Sequence, residues 1–183
     1  MSKRMFSFVG GAQGRWQVTR MAAVIGTPLQ PVTHIDILEN NGTGLVNNAV
    51  WTLRGVTSYE RYVNRLEQQS LIAAQPPLAR PQATCAALIP VKKSPDWWAL
   101  PQDERRAIFE TRSHHILTGL QYLPAVARRL HHCHELDEPF DFLTWFEYAP
   151  DDAEAFEQLT RTLRETEEWV YVDREIDIRL MRT

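Results

Sequence analysis

Residues 170–181, Val-Tyr-Val-Asp-Arg-Glu-Ile-Asp-Ile-Arg-Leu-Met, alternate apolar and polar side chains. Successive side chains of an extended chain point to opposite sides, so Val170, Val172, Ile176, Ile178 and Leu180 share one face. Tyr171, Asp173, Glu175, Asp177 and Arg179 share the other, and a half-buried strand is expected. Just before it, Asp151–Thr166 reads as a helix that is acidic at its start, where the helix dipole favours negative charge. Further back, Val126–His134 and Phe140–Tyr148 read as a hairpin across Glu135–Pro139, and Pro101–Gln121 as one long helix. Ser94-Pro95 places a capping serine before a proline at the first helical position, and Thr84–Val91 reads as a strand. From Thr84 onward the order is strand, helix, strand, strand, helix, strand, which is the split unit of ferredoxin-like folds.

The first third reads as a shortened version of the same unit. Phe6–Val9, Trp16–Ile25, Thr33–Leu38 and Asn48–Gly55 are short, rich in Val, Ile and Trp, and separated by turn clusters at Gly10-Gly11, Pro28–Pro31 and Asn40–Gly44. Ser58–Gln69 reads as a helix with a serine cap. Pro76, Pro77 and Pro81 mark the one convincing linker. The expected organisation is therefore a shortened ferredoxin-like half over 1–75, a linker over 76–82 and a full half over 83–183, although no repeat is visible residue by residue. Together they predict an α+β fold with helices packed outside an antiparallel sheet or barrel.

Composition narrows the function classes. The chain has 183 residues, 44% of them apolar, and a formal net charge of −3. It can bury a core, and it carries no strongly basic stripe of the kind nucleic acid requires. Two cysteines, Cys85 and Cys133, are too few for a disulfide scaffold. No apolar run approaches the ~20 residues that span a bilayer. Gly10, Gly11 and Gln13 interrupt the apolar stretch behind Lys3 and Arg4, so no secretory segment is expected and a cytoplasmic protein is.

Several groups of residues could carry chemistry. In His131-His132-Cys133-His134, adjacent side chains diverge on a strand, so a polar strand end is a better reading than a zinc site. With Ile116 at the centre of the apolar stripe of its helix, His114 falls on the solvent side and His115 at the stripe's edge beside Gly119. Periodicity alone makes His115 either a core histidine or a ligand. One member of the pair Arg128-Arg129 must face inward, where it needs an anionic partner or an anionic ligand unless both snorkel to water. Phe142, Thr144 and Phe146 share a strand face that is a pocket wall or simply core. Trp97-Trp98 behind Lys92-Lys93 could cap a core or cover a flat ligand.

The stretch Pro90–Trp98, then Glu104-Arg105-Arg106, His115, Tyr122-Leu123, Arg128 and Phe142–Glu147 resembles the chlorite dismutase family. The resemblance is close over residues 83–172 and looser around Gly55–Val63. It implies a haem b enzyme of dimeric αβ-barrel fold that turns chlorite into chloride and O₂. The short N-terminal part is similar to the dimeric lineage of the family, so a homodimer is expected.

In the family the proximal histidine lies thirteen residues before a distal arginine, which His115 and Arg128 satisfy, and a glutamate follows forty residues later, at Glu168. The resemblance implies His115 as ligand of the haem iron, Glu168 as its hydrogen-bond partner, and Arg128 as the catalytic residue that holds chlorite. It puts Thr144 and Phe146 on the distal wall, and Lys93, Trp97, Tyr62 and Val63 near the haem propionates. Small anions are the expected ligands, with no nucleic acid and no membrane as partner. Related coproheme decarboxylases carry glutamine at the arginine position and a tyrosine where this chain has Ile89. A decarboxylase, a weak peroxidase and a non-enzymatic haem-binding protein are the alternatives to separate by experiment.

Overall fold

The computed structural model describes residues 4–40, 48–57 and 62–183. Eight strands form the body of the molecule: β1 (Arg4–Gly11), β2 (Trp16–Ile25), β3 (His34–Asn40), β4 (Trp51–Thr57), β5 (Cys85–Lys93), β6 (Ala127–His132), β7 (Phe142–Tyr148) and β8 (Val172–Arg182). All their pairings are antiparallel, and they close into a barrel in the order β1–β3–β2–β8–β5–β7–β6–β4. Five α-helices accompany them: α1 (Arg65–Ala74), α2 (Pro95–Ala99), α3 (Gln102–Arg106), α4 (His115–Tyr122) and α5 (Ala153–Arg164).

Closure gives the sheet two apolar faces. The interior is packed by buried side chains from both halves of the chain, among them Phe8, Ile35, Leu88, Trp145 and Ile178. The outer face of β5, β7 and β8 carries Ala87, Ile89, Val91, Phe146 and Val172, on which Phe156, Leu159 and Leu163 of α5 pack. Where β4 meets β6, the strands approach so closely that a Cβ on Gly55 would lie 2.7 Å from the His131 Cβ. Glycine lets the barrel close at that seam.

Strand β8 departs from simple alternation. Its pairing with β5 slips between Lys92 and Lys93, opposite Arg174 and Val172, leaving Asp173 as an extra residue. Val172 therefore packs outside the barrel and Ile176 inside, not on one shared face. Val170 precedes the strand in a 3₁₀ turn and is exposed. The charged face is not solvated either: Glu175, Asp177 and Arg179 are all buried. Arg164 of α5 donates to Glu175 at 2.6 Å and to Asp177 at 2.9 Å, and Arg179 pairs with Asp177 and Glu157. Opposite charges neutralise one another under the helix, which makes burial of that face tolerable.

Two helices also differ from their expected bounds. The first starts at Arg65, because Asn64 and Glu67 form a reciprocal capping box with both bonds at 2.9 Å. The expected cap, Ser58, lies outside the described residues. The stretch Pro101–Gln121 is not one helix. α3 runs into a π-helical segment at Ala107–Arg112, and His114 then takes a left-handed conformation (φ 51°) before α4 begins. The Glu110 carboxylate accepts the Ile116 N–H at 2.7 Å, satisfying a donor that a continuous helix would have paired internally. Ser94 caps α2 as expected, with Pro95 at its first position. The linker residues run along the barrel, where Ala79 donates its N–H to Glu147 and Arg80 reaches the carbonyls of Pro124 and Ala125.

Candidate active site

A cavity lies between the outer face of the barrel and the segment from the π-turn to α4. Alternation along β6 sends Arg128, Leu130 and His132 into it, and alternation along β7 sends Phe142, Thr144 and Phe146. The two strands pair so that Arg128 sits opposite Phe146 and Leu130 opposite Thr144. One cation and one hydroxyl thus stand in a mainly apolar wall. Ile89 and Val91 of β5 extend that wall, and Tyr62 and Val63 close one side.

His115 faces this wall from the start of α4. Its Nδ1 lies 2.6 Å from Glu168 Oε2, and Phe109 stacks on the imidazole with 4.4 Å between ring centroids. The helix break brings Phe109 and His115 face to face. His114, at the left-handed position, is exposed.

Glu168 is 4% exposed and fully engaged: Oε1 accepts from Lys93 Nζ at 2.8 Å, and its own N–H donates to Ser113 Oγ at 3.0 Å. Burial alone would raise its carboxyl, but His115 and Lys93 together outweigh burial and bring it down to about 2. A carboxylate can only accept, so His115 Nδ1 carries a proton and donates it. In the neutral ring Nε2 then presents its lone pair, as a metal-ligating imidazole must.

Lys93 corrects an expectation. Its ammonium is buried against Glu168 and lies 4.5 Å from the Trp97 ring centroid and 5.4 Å from that of Trp169. It belongs to the chain of charges behind His115 and is not free at the propionate edge. Trp97 is 1% exposed, and its Nε1 has no hydrogen-bond partner among the described residues. The Tyr62 ring meets Trp97 edge-on at 5.9 Å, and its carbonyl accepts from Arg106, which is paired with Glu67 of α1 at 2.6 Å.

The structure thus gathers His115, Glu168, Lys93, Trp97, Tyr62 and Val63, with Arg128, Thr144 and Phe146 across from them, in one cavity. Sequence reasoning passed over Trp169 and the stacking of Phe109. Trp169 lies nearly parallel to His115 with centroids 6.4 Å apart, and Glu175 Oε2 holds its indole N–H at 2.7 Å. Its position directly after Glu168 was the available signal.

The histidine cluster disperses. His131 and Cys133 point into the barrel and His132 into the cavity. His134 stacks on Trp98 at 3.6 Å and bonds Asp141, whose other oxygen accepts from Trp98 Nε1 and the Lys93 N–H. At Gly119, which also lines the cavity, an added Cβ would meet nothing within 4 Å. Among the described residues, that leaves open space beside α4 for a flat group to approach. An imidazole with its outer nitrogen held, open space on its helix and an apolar wall opposite together suit haem.

Comparison with known proteins agrees with this geometry. The family model described as chlorite dismutase matches residues 28–182. A chlorite dismutase of Ideonella dechloratans is 32% identical over 130 residues, 70% of this chain and 44% of the relative, so the chain spans less than half of that relative. The crystal structure of a dimeric chlorite dismutase from Nitrobacter winogradskyi is 53% identical, with a TM-score of 0.91 over 97% of this chain and 99% of the other. Chlorite dismutase from Candidatus Nitrospira defluvii, in complex with imidazole, is 30% identical with a TM-score of 0.60 over 74% of this chain and 56% of the other.

Proposed function

The chain belongs to the chlorite dismutase family, and on that premise we propose that it binds haem b and decomposes chlorite to chloride and O₂. The observation that carries this reading is the buried series Lys93–Glu168–His115 facing Arg128 across one cavity. His115 Nε2 ligates the iron. Glu168 holds the Nδ1 proton, which fixes the tautomer and makes the imidazole a stronger donor. Lys93 keeps Glu168 ionised. Trp97, Tyr62 and Val63 hold the macrocycle's surroundings, and Thr144 and Phe146 line the opposite side.

Bound haem supplies the redox chemistry at iron that rearranges ClO₂⁻ into Cl⁻ and O₂. Arg128, always charged and with a planar donor fork, holds the substrate anion in a cavity whose other lining is mostly apolar. The same residue retains anionic species until the reaction is complete. Ile89 occupies the cavity wall with no acidic hydroxyl, which sets this site apart from the decarboxylase pattern.

The strand order supports reading the chain as two ferredoxin-like halves, since β8–β5–β7–β6 and β4–β1–β3–β2 follow the same sequence of neighbours. In the first half the short turn between β1 and β2 stands where the second half has α2 to α4. The subunits are proposed to pair as homodimers, as in the Nitrobacter protein.

The test is direct. The purified protein, supplied with haem, should show a haem absorption band and release O₂ saturably on addition of chlorite to an oxygen electrode. Haem binding without O₂ release would leave a binding protein or a different haem enzyme. Failure to bind haem would overturn the whole reading.

A further inference from the structure

We propose that Trp169 is a positioning residue for the iron ligand: tied to Glu175 on the barrel, it pins the turn that carries Glu168 and so sets the strength of the Glu168–His115 hydrogen bond. The inference deepens the haem reading and rests on it, and Trp169 acts through Glu168.

Glu168 sits on a slight piece of structure. It belongs to the 3₁₀ turn Glu167–Tyr171, five residues between α5 and β8, in which Val170 is 80% exposed. A turn of this kind is held poorly by its own hydrogen bonds and takes its place from contacts outside it. The Tyr171 carbonyl accepts the Ser94 N–H at 2.8 Å, the Glu168 N–H donates to Ser113 Oγ at 3.0 Å, and the Trp169 indole N–H donates to Glu175 Oε2 at 2.7 Å. The last of these ends on a barrel strand, where Glu175 pairs with Val91 of β5 and Ile25 of β2. Glu175 is 1% exposed, and its two oxygens are divided between partners. Oε1 accepts from Arg164 at 2.6 and 2.8 Å, and Oε2 is left for the indole.

The indole held in this way faces the other members of the series. Its ring lies nearly parallel to the His115 imidazole at 6.4 Å, within the range of offset aromatic pairs. The Lys93 ammonium stands 5.4 Å from its centroid, a cation–π distance, so the same ring flanks both groups that bond Glu168. The bond between His115 Nδ1 and Glu168 is 2.6 Å long, and a hydrogen bond weakens steeply as its length and angle depart from the best geometry. Releasing Trp169 from Glu175 frees the turn, draws Glu168 away from His115 and makes the imidazole a poorer donor to iron.

Two measurements read that bond. In the ferrous haem-loaded protein it is the iron–imidazole stretching band in resonance Raman; in the full chain before haem is added it is the ¹H resonance of His115 Nδ1–H, which a short bond to a carboxylate shifts far downfield. Trp169→Phe keeps a ring and removes the N–H, so the band should move to lower frequency and the proton upfield. Glu175→Gln should do the same, because one amide oxygen cannot serve both Arg164 and Trp169 and the charged donor takes it. The double variant should move no further than either single one, as one shared bond requires. In Trp169→Phe kcat should fall about fivefold with KM unchanged, short of the ~10–100-fold typical when a ligand's direct partner is lost. Trp16→Phe, inside the barrel, makes the same change of side chain and should leave both readouts in place. A band and a proton unmoved by Trp169→Phe would reduce Trp169 to packing and overturn the proposal, as would additive shifts in the double variant. Glu168→Gln separates this failure from that of the haem reading: if it leaves the band in place, the ligand assignment is at fault, and the proton resonance of the chain without haem still decides for Trp169. Should Trp169→Phe fail to fold, Glu175→Gln carries the same test.

Discussion

The two faces of β6 carry nearly the same residues in different circumstances. Outward stand Arg128, Leu130 and His132; inward stand Arg129 and His131, with Cys133 buried just past the strand's end. The outward face looks across a cavity at His115, whose Nδ1 is held by a carboxylate that a lysine keeps ionised. The inward face looks at aromatic rings, and its histidine has one nitrogen unsatisfied among the described residues. An arginine and a histidine do not define a site. What differs is the set of groups across from them: His115 stands between a lysine-paired carboxylate and an open cavity, whereas His131 is held by the Leu143 carbonyl and enclosed by aromatic rings.

The largest test of that contrast removes a histidine from each environment. His115→Ala should abolish the haem absorption band, whereas His131→Phe and the exposed His114→Ala should retain it. Loss of haem in His114→Ala alone would place the ligand one residue off. Next in size is Lys93→Met, which strips a buried carboxylate of its cation. Breaking one partner of a buried pair costs about 3–5 kcal/mol, readable as a fall in unfolding free energy by denaturant titration. A change below about 1 kcal/mol would show that His115 alone neutralises Glu168.

Arg128→Ala should bind haem normally but hold cyanide on ferric haem more weakly by about 1.5–3 kcal/mol, the worth of a hydrogen bond to a charged group. It should release less O₂ before bleaching, and a hypochlorite trap should protect it more than the wild type. Arg129→Ala should leave cyanide affinity and O₂ yield unchanged, and equal behaviour of the two variants would erase the distinction between the faces.

The smallest effect is a pH dependence. His131 is held near pKa 4 by burial, below its ordinary value of about 6.5. Between those values the unfolded chain binds the extra proton, so stability is complete above pH 6.5 and falls as pH drops towards 4. The loss should reach about 2 kcal/mol at pH 5. His131→Phe should flatten that part of the profile relative to wild type, and an identical slope in both would mean the imidazole is charged inside the barrel.

Much of this was legible along the chain, and the gaps have specific causes. Strand alternation separated Arg128 from Arg129, and the resemblance to the family pointed to His115, Arg128 and Glu168, which the fold brings to one cavity. The break before α4 was hidden because a π-turn and a left-handed histidine leave no mark in apolar periodicity, and the Glu110 side chain that caps α4 acts across that break. Lys93 was misplaced because its partner lies seventy-five residues away in sequence. Val172 was assigned to the wrong face because a one-residue slip against β5 inverts the strand.

By itself, then, the sequence determined which neighbouring side chains must diverge and which residue types could ligate, donate or pair, since these follow from covalent geometry and side-chain chemistry. Only the tertiary structure decided which face each strand turns to the helices, that the charged side of β8 is buried, and that Lys93 stands behind His115. Those outcomes depend on closing the barrel, which sets strands from distant parts of the chain beside one another and so selects the surroundings that fix charge, tautomer and access.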